Sequence, residues 1–347
     1  MASGPRSDRR VAHHNWRMTR RRLTRTAAIL LTGILGGYFG YVGWEGSGQL
    51  AHPPNPNRDC RTPADLGWAY EAINYDIATD DDLRAREPAR QECQTFGQGA
   101  RDEVVTEDGI RLAGWWIPSA AGSPPDGPTV VLVHGYGSSK SAMLDHATFI
   151  HDRYHLVLFD LRNGQQSTGA ITTQGISEQR DLSAILDWLE RTKGPMQVAV
   201  LGESMGGHIA AGVAARDDRV DALILTSTHD TLRRAMVARV DNAGHPGELG
   251  WPLIWIGTWL RTGENVFAQD PIAAVVDLGD RPLLLIHGGA DDDAPPASAE
   301  ELRRAAEAAG VDVTVRICAD ADHGKMDEVC PVEYGTWLNE FLERALP

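Results

Sequence analysis

In the stretch VAVLGESMGGHIAAGVAA, residues 198–215, Ser204 stands between Gly202 and Gly206, after an apolar run and before a helical one. A G-x-S-x-G sequence at such a junction turns the chain sharply and projects the serine, because the two glycines let neighbouring backbone pass closely. A serine hydroxyl is weakly nucleophilic at neutral pH, so acyl transfer through it needs a base to take its proton and a carboxylate to orient that base. His323 fits the base, lying in the loop ADADHGKMD directly after the strand-like run VTVRIC. His134 and His287 close apolar runs in His-Gly turns, where a backbone-bonded structural imidazole is the expected role. For the carboxylate, Asp291, Asp292 and Asp293 share the turn HGGADDDAPP. Asp320 and Asp322 stand too near His323 along the chain, and Asp160 ends a different run. The tetrahedral intermediate needs two donors for its oxyanion. One is the backbone N–H of Met205, the residue after the nucleophile, and the other is expected from the loop HGYGSS after TVVLVHG. This chemistry implies no metal and no cofactor.

These residues must be held along one edge of a sheet. TVVLVHG, HLVLFDLR, QVAVLGES, ALILTS, PLLLIHGG and VTVRICAD are short, nearly continuous apolar runs, the pattern of strands buried on both faces of a parallel sheet. Between them, ISEQRDLSAILDWLERTKG and PASAEELRRAAEAAG carry apolar residues at helical spacing, the first with Ser177 as cap and Gly194 as stop. VVTEDGIRLAGWWIP reads as a hairpin of two alternating runs about Asp108-Gly109. Strands alternating with helices give an α/β fold, a mostly parallel central sheet flanked by helices with ligands at the carboxyl ends of the strands. The alternation breaks after the sixth strand, ALILTS. Residues 229–271, which include His229 and His245, hold no strand-like run, while Trp251, Trp255 and Trp259 recur at helical spacing. That interval reads as an inserted helical cap or as a core-facing helix of the main domain.

With these motifs in place, the chain from Val104 to Leu346 resembles the α/β-hydrolase superfamily, and within it the membrane-anchored serine hydrolases of prolyl-oligopeptidase-like type. The resemblance rests on His134-Gly135 with Lys140, on Phe159-Asp160 with Arg162, Gly164 and Ser167, on Gly202 to Gly206, on His287-Gly288 with Asp291 and Pro295, and on the late His323. The spacing between Gly164 and Ser167 is one residue longer than the family pattern, and three aspartates stand where one is usual. The resemblance selects Asp291 as the orienting acid and the Tyr136 backbone amide as the second oxyanion donor. It implies an α/β-hydrolase fold and a Ser204–His323–Asp291 serine hydrolase acting on carboxylic esters through an acyl-enzyme. A peptidase and an acyltransferase share the triad, and a catalytically silent binding module shares the fold.

The first 25 residues hold eight arginines against one acid, leaving the remaining chain at −22 and poorly suited to nucleic acid. TAAILLTGILGGYFGYVGW, residues 26–44, is uncharged and about 28 Å long as a helix, close to a bilayer's hydrocarbon thickness. Aromatic residues crowd its far end, and the preceding arginines place the amino terminus in the cytoplasm. The expected organisation is therefore a basic cytoplasmic segment (1–25), a transmembrane anchor (26–44), a linker (45–65) and an extracytoplasmic hydrolase domain (66–347) with the cap at 229–271. A cleaved signal, for which TRRRLT has a twin-arginine look, leads instead to a secreted protein, although no A-x-A site follows. The partners expected are the membrane and a small or lipid-like acyl substrate, with the oligomeric state left open. Four cysteines allow three disulfide connectivities or four free thiols; the local pairs are Cys60 with Cys93 and Cys318 with Cys330.

Overall fold

The computed structural model describes residues 8–53, 59–73 and 103–347, with side chains from residue 25 onward. In chain order the elements are α1 (Asp8–Ala51), β1 (Glu71–Ile73), β2 (Val104–Val105), β3 (Arg111–Leu112), β4 (Gly114–Ile117), β5 (Thr129–Val133), α2 (Met143–Ala147) and β6 (His155–Phe159). There follow α3 (Glu178–Lys193), β7 (Val198–Glu203), α4 (Met205–Ala214), β8 (Ala222–Thr226), α5 (Leu232–Asn242), α6 (Gly247–Thr262) and α7 (Pro271–Val276). The chain closes with β9 (Leu283–Gly288), α8 (Pro296–Ala308), β10 (Val313–Cys318), α9 (Met326–Val329) and α10 (Pro331–Ala345).

Eight strands form one sheet in the order β1-β4-β6-β5-β7-β8-β9-β10. From β6 to β10 every pairing is parallel, with Val131 opposite both Val157 and Val200. The six apolar runs are these six strands. Val131 and Val133 face a layer that includes Leu182, Ile185 and Ile209 of α3 and α4, whereas Val130 and Leu132 face Met143 of α2 and Leu338 and Phe341 of α10. Both faces are thus covered, and strands without alternation are the physical result.

Three local expectations change. The hairpin about Gly109, whose φ is 83°, pairs β2 with β3, but the second run breaks there and β4 joins the main sheet antiparallel to β6 and β1. Close approach permits this: a Cβ on Gly114 would lie 2.7 Å from the Leu158 carbonyl oxygen. Ser177 makes no side-chain cap on α3. Instead Glu178 accepts hydrogen bonds from the backbone N–H groups of Thr173 and Gly175, at 2.7 and 2.8 Å. Residues 45–51, expected to open the linker, continue α1, because small residues there let α6 pack directly on it. A Cβ on Gly43 would meet the Leu253 Cβ at 2.5 Å, and one on Gly257 would meet the Ser47 Oγ at 2.6 Å. Gly250, Ile254 and Gly257 form the buried face of α6, while Trp255 and Trp259 are exposed. Trp255 and Trp259 therefore face away from the core, while Trp251 is half-buried against Phe267.

Cys318 and Cys330 form a disulfide that spans 12 residues and encloses the His323 loop. Cys60 is also disulfide-bonded; Cys93, its expected partner, lies outside the described residues. Replacing Cys318 and Cys330 by serine is expected to cost about 3 kcal/mol, the chain-entropy value for a ring of this size. A thermal melt of the double variant matching the wild type would contradict this.

Candidate active site

Strand β7 delivers the chain to Ser204 and α4 leaves from Met205, so Ser204 takes φ 52° and ψ −114°, a conformation that is strained for a residue with a Cβ. The elbow requires both flanking glycines. A Cβ on Gly206 would lie 2.1 Å from the Val133 carbonyl oxygen, and one on Gly202 would lie 2.4 Å from that of Gly206. The Ser204 N–H donates to the Thr226 carbonyl at 2.9 Å, pinning the turn to β8.

The structure brings Ser204, His323 and Asp291 into one line. Ser204 Oγ is 3.0 Å from His323 Nε2, and His323 Nδ1 is 2.9 Å from Asp291 Oδ2. Asp291 Oδ1 accepts the Ala294 N–H at 2.6 Å, and Gly324 N–H donates to Ser227 Oγ at 3.0 Å, fixing the acid loop and the histidine loop separately. Asp291 is buried, whereas Asp292, Asp320 and Asp322 are exposed. Burial pushes the Asp291 carboxyl up, but His323 outweighs it and holds the group below the usual carboxylate range. Burial likewise pushes His323 down, and its hydrogen bond to Asp291 more than offsets this, so His323 titrates above the ordinary 6.5. Protonated His323 cannot accept the serine proton. The acid limb of kcat/KM should therefore have its midpoint above 6.5 and move down in Asp291→Asn; a wild-type midpoint below 6.5 would contradict the arrangement.

Met205 opens α4, whose first N–H groups have no partner within the helix. The loop after β5 crosses close by: a Cβ on Gly135 would lie 3.3 Å from the Glu203 carbonyl oxygen and 3.4 Å from the Ser204 Cβ, which puts the neighbouring Tyr136 beside the elbow. Ser204, Met205, Tyr136, His208, His229 and His323 line a cavity of about 240 Å³. A larger groove, about 660 Å³, lies beside α3 and α7 among charged residues and contains none of the triad.

His134 and His287 are structural, as their His-Gly turns suggest. His134 Nε2 accepts the Leu161 N–H at 3.0 Å, and His287 Nε2 donates to the Ala294 carbonyl at 2.7 Å. Lys140 and Asp160 are buried against each other, Nζ to Oδ2 at 2.5 Å, and tie the Tyr136 loop to the end of β6. Sequence reasoning gave no role at the site to five of its residues. Glu203, beside the nucleophile, pairs with His146 Nε2 at 2.8 Å, and His146 Nδ1 meets the Tyr334 hydroxyl at 2.8 Å. His208 and His229 wall the pocket, and burial lowers them to about 4 and about 3, so both are neutral near pH 7. Glu203 is visible in the motif itself; its partners, 57 residues away and farther, carry no periodic signal.

A family model described as the alpha/beta hydrolase fold matches residues 128–244. Rv2307c, an uncharacterized protein of Mycobacterium tuberculosis, is 30% identical over 210 residues, covering 59% of this chain and 67% of that protein. YfhR of Escherichia coli, also uncharacterized, is 29% identical over 236 residues, with 67% and 74% covered. Among solved structures, an esterase of Pyrococcus furiosus shares the fold with a TM-score of 0.64 at 24% identity, over 86% of this chain and 99% of that one.

Proposed function

The chain belongs to the α/β-hydrolase superfamily, and on that premise we propose that it is a serine hydrolase that cleaves carboxylic esters. The observation that carries this reading is the unbroken hydrogen-bonded line from buried Asp291 through His323 to Ser204 on its strained elbow. Ser204 Oγ attacks the ester carbonyl while His323 Nε2 takes its proton. The oxyanion accepts hydrogen bonds from the N–H groups of Met205 and Tyr136. As the C–O bond breaks, His323 returns the proton to the departing alcohol, leaving acyl-Ser204. Water then adds to the acyl-enzyme with His323 as base, releasing the acid and restoring the serine. Asp291 holds the imidazole with Nε2 toward the serine and stabilises its protonated form.

The N-terminal helix anchors the enzyme in the membrane with the catalytic domain outside the cytoplasm. Its span from Arg25 to Ala51 is long and apolar enough to cross a bilayer, and the arginines before it favour a cytoplasmic amino terminus. Esterase chemistry is also that of the Pyrococcus furiosus protein with the same fold. A panel of p-nitrophenyl esters of rising chain length, run beside a peptide amide with and without an acceptor alcohol, tests the reaction class. Hydrolysis of esters with little amide cleavage is expected. Faster amide cleavage would make the chain a peptidase, and dominant transfer to the alcohol an acyltransferase.

A further inference from the structure

The catalytic cavity has a neighbour. Between α1, α5 and α6 runs a second cleft of about 260 Å³, bounded by Tyr41, Val42 and Leu50 on one side and by Met236, Val240 and Ile254 on the other. Met236 and Arg239 border both spaces. At about 240 Å³ the space over Ser204 is smaller than the roughly 300–1,000 Å³ of ordinary ligand sites, so a long ligand must extend beyond it.

The cleft has a fixed direction relative to the anchor. Helix α6 runs beside α1 in the same sense. His245, just before it, pairs with Tyr38; Leu253 packs on Gly43; Gly257 packs on Ser47. Arg261 near its end donates to Ser47 Oγ at 3.1 Å and lies 3.7 Å over the Trp44 ring. If residues 26–44 span the membrane, the first half of α6 therefore stands at the depth of Tyr38 to Gly43, in the outer leaflet. Its free face suits that place and the interface just beyond it: Leu249 is exposed in the first half of α6, Trp255, Ile256, Trp259 and Leu260 are exposed in the second half beside Trp44 and Ser47, and Leu35, Tyr38 and Tyr41 are exposed on α1. Apolar residues mixed with tryptophan and one arginine are what a helix seated in the interface presents.

At the other end, α1 is tied to the catalytic loops. The carbonyls of Gln49, Leu50 and Ala51 accept from the Tyr136 hydroxyl, from Gln174 Nε2 at 2.8 Å and from the Thr172 N–H at 2.8 Å. Tyr136 and Gln174 also line the catalytic cavity. From Tyr41 to Leu50 the helix rises about 14 Å, so the cleft connects outer-leaflet depth with the mouth over Ser204.

We propose that this cleft is an entry lane for a bilayer lipid, whose acyl chain lies between α1 and the α5–α6 pair while its ester carbonyl passes Met236 and Arg239 to Ser204. The proposal rests on the membrane-anchored serine-hydrolase reading and names its substrate class. Val42, Leu50, Met236, Val240 and Ile254 cover a chain moving sideways from the leaflet and lower the cost of exposing it to water, while Glu45, Gln49, Arg239 and His245, which also line the cleft, face the polar end of the lipid.

The test uses the full chain in vesicles of phosphatidylcholine and phosphatidylglycerol. Ala243, exposed at the end of α5 and lining the cleft, is changed to tryptophan to fill the lane from its rim. The ratio of p-nitrophenyl palmitate to p-nitrophenyl acetate hydrolysis is expected to fall at least tenfold; a ratio within twofold of the wild type would overturn the lane. A second arm needs no catalysis. Phosphatidylcholine carrying a diazirine on its acyl chain, photolysed with Ser204→Ala, should tag peptides covering 41–50 and 236–243. Tags confined to residues 26–37 would overturn the proposal. Cleavage of neither ester by the wild type, with tags in the cleft, would instead sink the hydrolase reading and leave the lipid site standing.

Discussion

Ser204→Ala and His323→Ala should each lower ester turnover by roughly 10³-fold or more, with Asp291→Asn costing less but still at least tenfold. In the proposed mechanism the serine supplies the attacking oxygen, and His323, 3.0 Å from it, is the group placed to take its proton among the described residues lining that cavity. His229 lines the same space, but burial lowers it to about 3 and its Nε2 is engaged with the Asp293 carbonyl. Asp291 acts through His323, so its amide leaves nucleophile and base present but less well oriented. Because the three work as one unit, the double variant Ser204→Ala/His323→Ala should be no slower than the worse single one. Asp292→Asn, at an exposed position, should retain activity; loss there with retention in Asp291→Asn would transfer the role to the neighbour.

The second large effect concerns stability. Lys140→Met should cost about 3–5 kcal/mol, the usual result of stranding one charge of a buried pair. Lys140 and Asp160 are 1% and 0% exposed, and the Asp160 carboxylate also accepts the Lys140 N–H at 2.9 Å and the Gln166 N–H at 3.1 Å. The lysine cannot leave without an uncompensated carboxylate remaining in the core. Adding Asp160→Asn should recover part of the loss, since the amide oxygen can still accept while carrying no charge. A single Lys140→Met variant that melts with the wild type would show that the pair is not buried as described.

The parts of the fold that were readable from the chain are those fixed by local pattern. The runs from TVVLVHG to PLLLIHGG are apolar because β5 to β9 pack helices on both faces, whereas β10, at the sheet edge, is half-buried and carries Thr314 and Arg316 within VTVRIC. Ser204 and His323 stood out in the sequence because a serine between two glycines and a histidine in a loop each follow a strand-like run, and the structure places their side chains 3.0 Å apart. Asp291 was not separable from Asp292 and Asp293 by residue type; what distinguishes it is burial beneath His323, a tertiary property. The same limit hid Glu203–His146–Tyr334, whose members come from β7, α2 and α10. It also hid the continuation of α1 through Ala51. Gly46, Ser47 and Gly48 look like linker residues until α6 is seen to need their small size.

The central claim is that Ser204 is an activated nucleophile, and covalent trapping reads it most directly. A fluorophosphonate probe applied to the full chain, followed by proteolysis and mass spectrometry, should place one adduct on the peptide bearing Ser204, with labelling lost in Ser204→Ala and strongly slowed in His323→Ala. An adduct on a different residue, or no labelling of folded protein, would contradict the account.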